Sequence, residues 1–226
     1  MQLYIGNKNY SSWSLRPWLL MRQAGIPFEE VKLQLSFNED SPFKRALSAV
    51  APAGKVPVLV DEGFAVWDTL AIAEYLAEKF PAKALWPEPM RERARARSLC
   101  AEMHAGFSAL RNNFPMNIEA SLPEVGARKL REVPEVGRDV ARIVEMWSGQ
   151  LDTSGGPFLF GAFGIVDAYF APVCTRFRTY GLPLPEVPAA YAGRVLALPA
   201  MQQWVHDARA ENDFLAFDEP YRQAAP

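Results

Sequence analysis

Cysteine and histidine are scarce in this chain: 226 residues include two of each. Cys100 and Cys174 lie far apart and form no Cys-x-x-Cys pair, so neither a disulfide framework nor a dithiol redox site is expected. Both are expected to be small apolar residues of the interior. His104 and His206 belong to no local ligand motif and have no thiol or carboxylate cluster beside them, so no metal site is expected. Long apolar runs are missing as well. No stretch approaches the roughly 20 apolar residues that span a bilayer, and the chain opens on strand-like Leu3-Tyr4-Ile5 and not on a leader. A cytoplasmic protein with no membrane partner is the expectation. Charge of one sign is lacking too: 24 basic and 26 acidic residues leave a formal net charge of −2, which gives nucleic acid no reason to be the main partner. A neutral or small-molecule partner fits better.

The length suits two domains of unequal size, and a composition that is 50% hydrophobic can fill the core of each. The first eighty residues alternate short β-type runs with helical spacing. Gln2–Gly6 reads as a strand, Ser14–Ala24 as a helix with Pro17 in its first turn, Glu29–Leu33 as a strand and Pro42–Val50 as a short helix. Val58–Val60 and Ala65–Trp67 read as a hairpin around Glu62-Gly63, and Thr69–Phe80 as a helix, for an order of βαβαββα. Pro81, Pro87 and Pro89 then mark a linker over residues 81–89, after which helical patterns dominate to residue 226 with no convincing strand. Arg91 to Arg111 reads as one long helix with Leu99, Met103, Phe107 and Leu110 on its buried stripe, and the arginines of residues 91–97 as its solvated face.

The segment Asn7-Lys8-Asn9-Tyr10-Ser11-Ser12-Trp13-Ser14-Leu15-Arg16 joins the first strand to the first helix, at the carboxyl end of a strand where α/β units commonly dock ligands. Any one of its serines can be explained as a helix N-cap. Three together suggest more. Ser-Ser-x-Ser-x-Arg at this turn resembles the Ser-Ser-Cys-x-x-Arg pattern of zeta-class glutathione transferases and their bacterial relatives. Ala51-Pro52-Ala53-Gly54-Lys55-Val56-Pro57-Val58-Leu59 is similar to the same superfamily's Asn-Pro-x-Gly-Lys-Val-Pro-x-Leu, and Trp67-Asp68-Thr69-Leu70-Ala71-Ile72 to its Glu/Gln-Ser-x-x-Ile. Gly161 to Ala168 resembles its Gly-x-x-Ser/Thr-x-Ala-Asp capping box and hydrophobic staple. Four motifs in order and in register cover nearly the whole chain.

The resemblance implies an α/β thioredoxin-like N-terminal domain that binds glutathione and an all-α helical-bundle C-terminal domain that binds an electrophile. It implies glutathione as co-substrate, a small hydrophobic electrophile as the other partner, detoxification as the role and a homodimer as the assembly. A free thiol has a pKa near 8.5, and lowering it by about two units takes roughly 2.7 kcal/mol of selective stabilisation of the anion. A hydroxyl donor and the positive end of a helix can supply that. By the resemblance Ser11 is the catalytic hydroxyl, with Ser12, Ser14 and Tyr10 as neighbours able to replace it, since the turn is about two residues longer than the zeta pattern. Ser12 and Trp13 are expected at the glutathione site, and Val56-Pro57 is expected to be cis, presenting the Val56 backbone to the tripeptide. Lys55 can pair with its glycyl carboxylate. Asp68 and Thr69, at the start of the third helix, can hold the γ-glutamyl end; Asp-Thr departs from the Glu-Ser or Gln-Ser of the pattern.

The electrophile pocket is expected between the domains, with Tyr10, Met103, His104, Phe107, Arg111, Met116 and Arg176 as candidates. Met103 and Phe107 are named only as a wall, and Arg176 matches a zeta-class arginine that binds a substrate carboxylate. The leading activity is conjugation by thiolate attack. Maleylacetoacetate-type isomerisation is the alternative, weakened by Trp13 at the family's cysteine position and by a divergent segment over residues 113–119. A non-catalytic binding module is a further one. Thiol transfer would need a cysteine at the turn, and none is there.

Overall fold

The computed structural model describes residues 1–36 and 38–222. Its first part is a four-stranded sheet built from β1 (Gln2–Ile5), β2 (Glu29–Lys32), β3 (Val58–Asp61) and β4 (Phe64–Trp67), in the order β2-β1-β3-β4. β1 runs parallel to β2 and antiparallel to β3, which pairs antiparallel with β4 around the left-handed residues Glu62 and Gly63. Side chains alternate across the sheet. Leu3, Ile5 and Leu59 join the main core with α1 (Ser12–Gln23) and α3 (Thr69–Lys79), whereas Tyr4 and Val58 pack on the other face against Phe43 and Leu47 of α2 (Pro42–Ser48). The order βαβαββα and the thioredoxin-like arrangement are those expected.

α1 begins two residues earlier than its spacing suggests. The Ser11 side chain accepts from Ser14 N–H and so takes the N-cap position, which leaves Pro17 in the second turn and not the first. Beyond a one-turn 3₁₀ helix at Pro81–Lys83, the rest is helical: α4 (Met90–Ala105), α5 (Ser108–Asn113), α6 (Pro123–Glu132), α7 (Pro134–Ser154), α8 (Ile165–Thr179), α9 (Glu186–Ala197) and α10 (Pro199–Ala210), with a second 3₁₀ turn at Ala216–Asp218. α8 is the axis of this part. Every one of its residues except Arg178 is buried, and α1 lies against it.

The single helix expected over Arg91 to Arg111 is two helices. Gly106 leaves the helical conformation, Phe107 is left-handed at φ 56°, and Leu110 N–H near the start of α5 donates to Asp139 Oδ2 of α7 at 2.9 Å. Leu99, Met103, Phe107 and Leu110 still enter one core, so the apolar spacing survives a break that only the glycine announces. At the start of α8, Asp167 Oδ2 accepts from Gly164 N–H at 2.9 Å. Gly164 has no side-chain acceptor, so only the acidic half of the expected capping box is made. Cys100 and Cys174 are free and buried, and burial pushes both thiols well above their ordinary range. No described helix is long and apolar enough to cross a membrane.

Candidate functional site

Two adjoining hollows share Trp13, Lys55 and Val56. The larger, about 680 Å³, takes Tyr10, Ser11 and Ser12 from the β1–α1 turn, Arg111 and Met116 from the α5 region, Arg176 from α8, and Phe217, Asp218 and Pro220 from the segment after α10. The smaller, about 290 Å³, lies among Pro57, Trp67, Asp68, Thr69 and His104. Ligands of α/β units dock at the carboxyl ends of strands, and here the turn after β1 supplies the wall nearest the start of α1.

The hydroxyls at that turn have different partners. Ser11 Oγ lies 2.7 Å from Ser14 Oγ, to which it donates, and accepts from Ser14 N–H at 3.4 Å. Ser14 is fully buried and its Oγ accepts from Gly6 N–H at 3.1 Å, so it faces the strand and not the hollow. Tyr10 lends its ring to the larger hollow, but its hydroxyl donates to Glu219 Oε1 at 2.6 Å. Burial, with that carboxylate, pushes the phenol up to about 12. Of the serines at this turn, Ser11 and Ser12 are therefore the two that line the hollow.

In the smaller hollow the Val56-Pro57 peptide is cis, and Val56 and Pro57 both line the cavity. Asp68 is the N-cap of α3, with Oδ1 accepting from Leu70 N–H at 2.8 Å, and it takes a positive φ of 74°. A non-glycine residue pays for such a conformation, and strain of this kind gathers at ligand-holding positions. Its second oxygen lies 3.3 Å from His104 Nε2. Burial holds the imidazole below its ordinary value, while Nδ1 is buried with no partner among the described residues. His104, expected with the electrophile, thus stands beside the pair expected to hold glutathione. Thr69 lines the same hollow, yet its hydroxyl is engaged inward with the Tyr169 hydroxyl at 2.7 Å.

Two guanidinium groups lie against Trp13, and a third, that of Arg176, reaches the larger hollow that Trp13 lines. Arg16 is buried between the rings of Trp13 and Tyr169, at 4.2 and 4.6 Å from their centroids, and its Nε and Nη1 find no partner among the described residues. Arg111 lies 5.6 Å from the Trp13 centroid and donates from Nη1 to His104 C=O at 3.1 Å. Arg176 is buried and donates to the carbonyls of Phe114 at 2.8 Å and Pro172 at 3.3 Å. Burial pushes Arg16 down to about 10 and Arg176 to about 9, so both stay cationic at neutral pH. Arg111 and Arg176 thus bring positive charge to one side of the larger hollow, whose lining also carries the Asp218 carboxylate.

Met103 and Phe107, expected along the pocket wall, line neither hollow: both are packed in the main core. Met116, Arg111 and Arg176 do reach the larger one. Sequence reading missed the contribution of the segment after α10, which carries no local motif and meets the β1–α1 turn from about two hundred residues away. It also passed over Arg16, whose place in Ser-x-Ser-x-Arg was the available signal.

Models of the "Glutathione S-transferase, N-terminal domain" and "Glutathione S-transferase, C-terminal domain" match residues 10–79 and 131–207. The chain belongs to the glutathione S-transferase family, a family of glutathione-dependent enzymes, and glutathione is its co-substrate. It is 27% identical to a maleylacetoacetate isomerase of Pseudomonas aeruginosa over 90% of this chain and 94% of that one. It is 30% identical to the maleylacetoacetate isomerase of Rattus norvegicus over 88% and 89%. A glutathione transferase homolog from Burkholderia, solved with bound glutathione, shares the fold with a TM-score of 0.69 at 24% identity, over 93% of this chain and 98% of that one.

Proposed function

We propose that this protein binds glutathione across the two hollows, ionises its thiol at Ser11 and joins the sulfur to a small electrophile held on the Arg111 and Arg176 side. The observation that carries the reading is the placement of Ser11: it caps α1 and lines the same hollow as Val56. The γ-glutamyl end belongs in the smaller hollow, its amine toward Asp68 and its carboxylate toward the N–H groups that open α3. The Val56 backbone meets the cysteinyl portion, and Lys55 the glycyl carboxylate. Ser12 and Trp13 complete the wall. The domains behind this division are residues 1–80 for glutathione and residues 90–226 for the electrophile, joined through residues 81–89.

The hydroxyl pair can serve a thiolate without leaving a donor unmet. A hydroxyl has one proton and two acceptor positions. When a sulfur anion arrives, Ser11 O–H turns to it, and Ser14 O–H donates to Ser11 Oγ in place of the present direction. Ser14 Oγ keeps Gly6 N–H as its donor, and Ser11 Oγ keeps Ser14 N–H. The thiol proton leaves to solvent; the thiolate then attacks the electrophilic carbon, and the bonding pair departs with the leaving group or moves into the acceptor's conjugated system. Serine stabilises and does not itself attack.

A second reading is glutathione-dependent cis–trans isomerisation of a carboxylated alkene, in which sulfur adds, the resulting single bond rotates and sulfur leaves. The two cavity arginines and the isomerase relatives favour it. The chain is inferred to work in the cytoplasm as a homodimer, for which exposed Phe64 and Met90 supply apolar surface.

Titration of the bound thiol by its ultraviolet absorbance tests the core of the proposal. Ser11→Ala should raise the thiol pKa by about one to two units while glutathione still binds. An unchanged pKa in Ser11→Ala with a raised one in Ser12→Ala transfers the role to Ser12. Turnover of an aryl halide against maleylacetone then separates conjugation from isomerisation.

A further inference from the structure

The β1–α1 turn is held from the far end of the chain. Ser11 N–H donates to Asn7 C=O at 2.8 Å and closes one α-turn, within which the forward N–H groups of Lys8 and Asn9 have no acceptor. Both donate to Glu211, just past α10: Lys8 N–H to Oε1 at 2.8 Å and Asn9 N–H to Oε2 at 3.3 Å. The Glu211 side chain is 4% exposed, and Lys32 Nζ stands 3.3 Å from Oε1. Further ties run the same way. Asn7 Nδ2 donates to Asp213 Oδ2 at 2.7 Å, Lys8 Nζ lies between Asp207 at 2.7 Å and Glu30 at 2.9 Å, and Trp204 Nε1 donates to Lys8 C=O at 2.9 Å.

A buried carboxylate that spans two consecutive backbone N–H groups fixes the orientation of the peptide planes as well as their position. Ser11 is bonded into the same turn through its own N–H, so the tilt of that turn sets where Ser11 Oγ and the first N–H groups of α1 point. Glu211 itself lines neither hollow. Geometry at a reacting centre is unforgiving: a misplacement of about 1 Å can cost on the order of a hundredfold in rate.

We propose that Glu211 is a positioning residue for thiol activation, acting on bound glutathione through the Lys8–Asn9 backbone and the capped start of α1. The proposal rests on the assignment of thiol activation to this turn. Glu211→Gln keeps the size and one acceptor oxygen but sets an amide N–H₂ against the second backbone donor. The thiol pKa of bound glutathione should then rise by about one unit, with kcat/KM near neutral pH down about threefold and glutathione affinity at acidic pH unchanged. Loss of fold stability alone would not move that pKa. In a Ser11→Ala background the same change should add less, because only the route through the helix end is left.

An unmoved thiol pKa in folded Glu211→Gln overturns the proposal, as does an equal rise when Ser11 is already gone. If Ser11→Ala alone leaves the pKa unmoved, it is the serine assignment that fails. Glu211→Gln then decides by itself: a raised pKa keeps the positioning role through the helix end, and an unmoved one removes it. Glu211→Asp retains both oxygens one methylene short and should give a smaller rise. Where Glu211→Gln does not fold, a wild-type thiol pKa in Glu211→Asp overturns the proposal.

Discussion

Arg111→Gln gives the sharpest test of which electrophile the larger hollow receives. Arg111 is the suitable residue because it is half-buried on the cavity wall, whereas Arg176 is buried and braces the carbonyls of Phe114 and Pro172, so that its loss would disturb the packing of α8. A carboxylate about 4 Å from a guanidinium gains roughly 4 kcal/mol at an effective dielectric constant near 20. Partial exposure of Arg111 and the sharing of the anion with Arg176 reduce this to about 1.5 kcal/mol, or about tenfold. The assay is kcat/KM for a carboxylated α,β-unsaturated acceptor and for its methyl ester, at two salt concentrations. Arg111→Gln should lose about tenfold on the acid and less than about twofold on the ester, and the wild-type preference for the acid should shrink as salt rises. Equal losses on acid and ester would mean that Arg111 shapes the wall through its contacts with Trp13 and His104, and that the anionic reading of the hollow is wrong.

His104 and Asp167 yield two more expectations. With its imidazole held below the ordinary 6.5 by burial, His104 is neutral at pH 7 and gains a proton only in acid. The imidazolium would then stand 3.3 Å from the Asp68 oxygen proposed for the γ-glutamyl amine. Glutathione affinity, measured by calorimetry, should weaken as pH falls below that ordinary value, and His104→Gln should flatten the slope; a slope that persists in the variant refutes the competition. Asp167 accepts from Leu159 N–H at 3.2 Å, Gly164 N–H at 2.9 Å and Tyr191 O–H at 3.1 Å, all at a buried site. Asp167→Ala strands these donors and should cost about 3 kcal/mol, lowering Tm by about 6 to 12 °C in a thermal melt, with the bound thiol pKa unchanged. A loss below about 1 kcal/mol would show that the cap is dispensable.

The fold was legible wherever the signal is local. Period-two runs, a hairpin glycine and helical spacing are properties of a few neighbouring residues, and β1 to α3 follow from them in order. The helix written over Arg91 to Arg111 failed for an instructive reason. Apolar periodicity reports which side chains reach a core, and two helices entering one core preserve it across Gly106 and Phe107. The break also separates the pocket candidates: Met103 and Phe107, expected as a wall, enter the core instead, while His104 of α4 lines the smaller hollow and Arg111 of α5 the larger one.

The hydroxyl cluster shows where local reading stops. That serines crowd the start of α1 is plain from Ser11-Ser12-Trp13-Ser14, but the division of labour among them depends on groups the motif does not contain. Ser14 is withdrawn by Gly6 N–H, and Tyr10 by a carboxylate 209 positions away. The turn between β1 and α1 makes its own demand on distant groups. Extra residues between a strand and a helix bring extra N–H groups, and near the interior those must be satisfied. Glu211 meets those of Lys8 and Asn9, and Asn9 Oδ1 in turn accepts from Ile118 and Glu119 N–H at 2.8 and 3.0 Å. The turn is therefore wedged between the sheet, the strand-free segment after α5 and the segment after α10, so that a change in any of the three reaches the start of α1 through hydrogen bonds already in place.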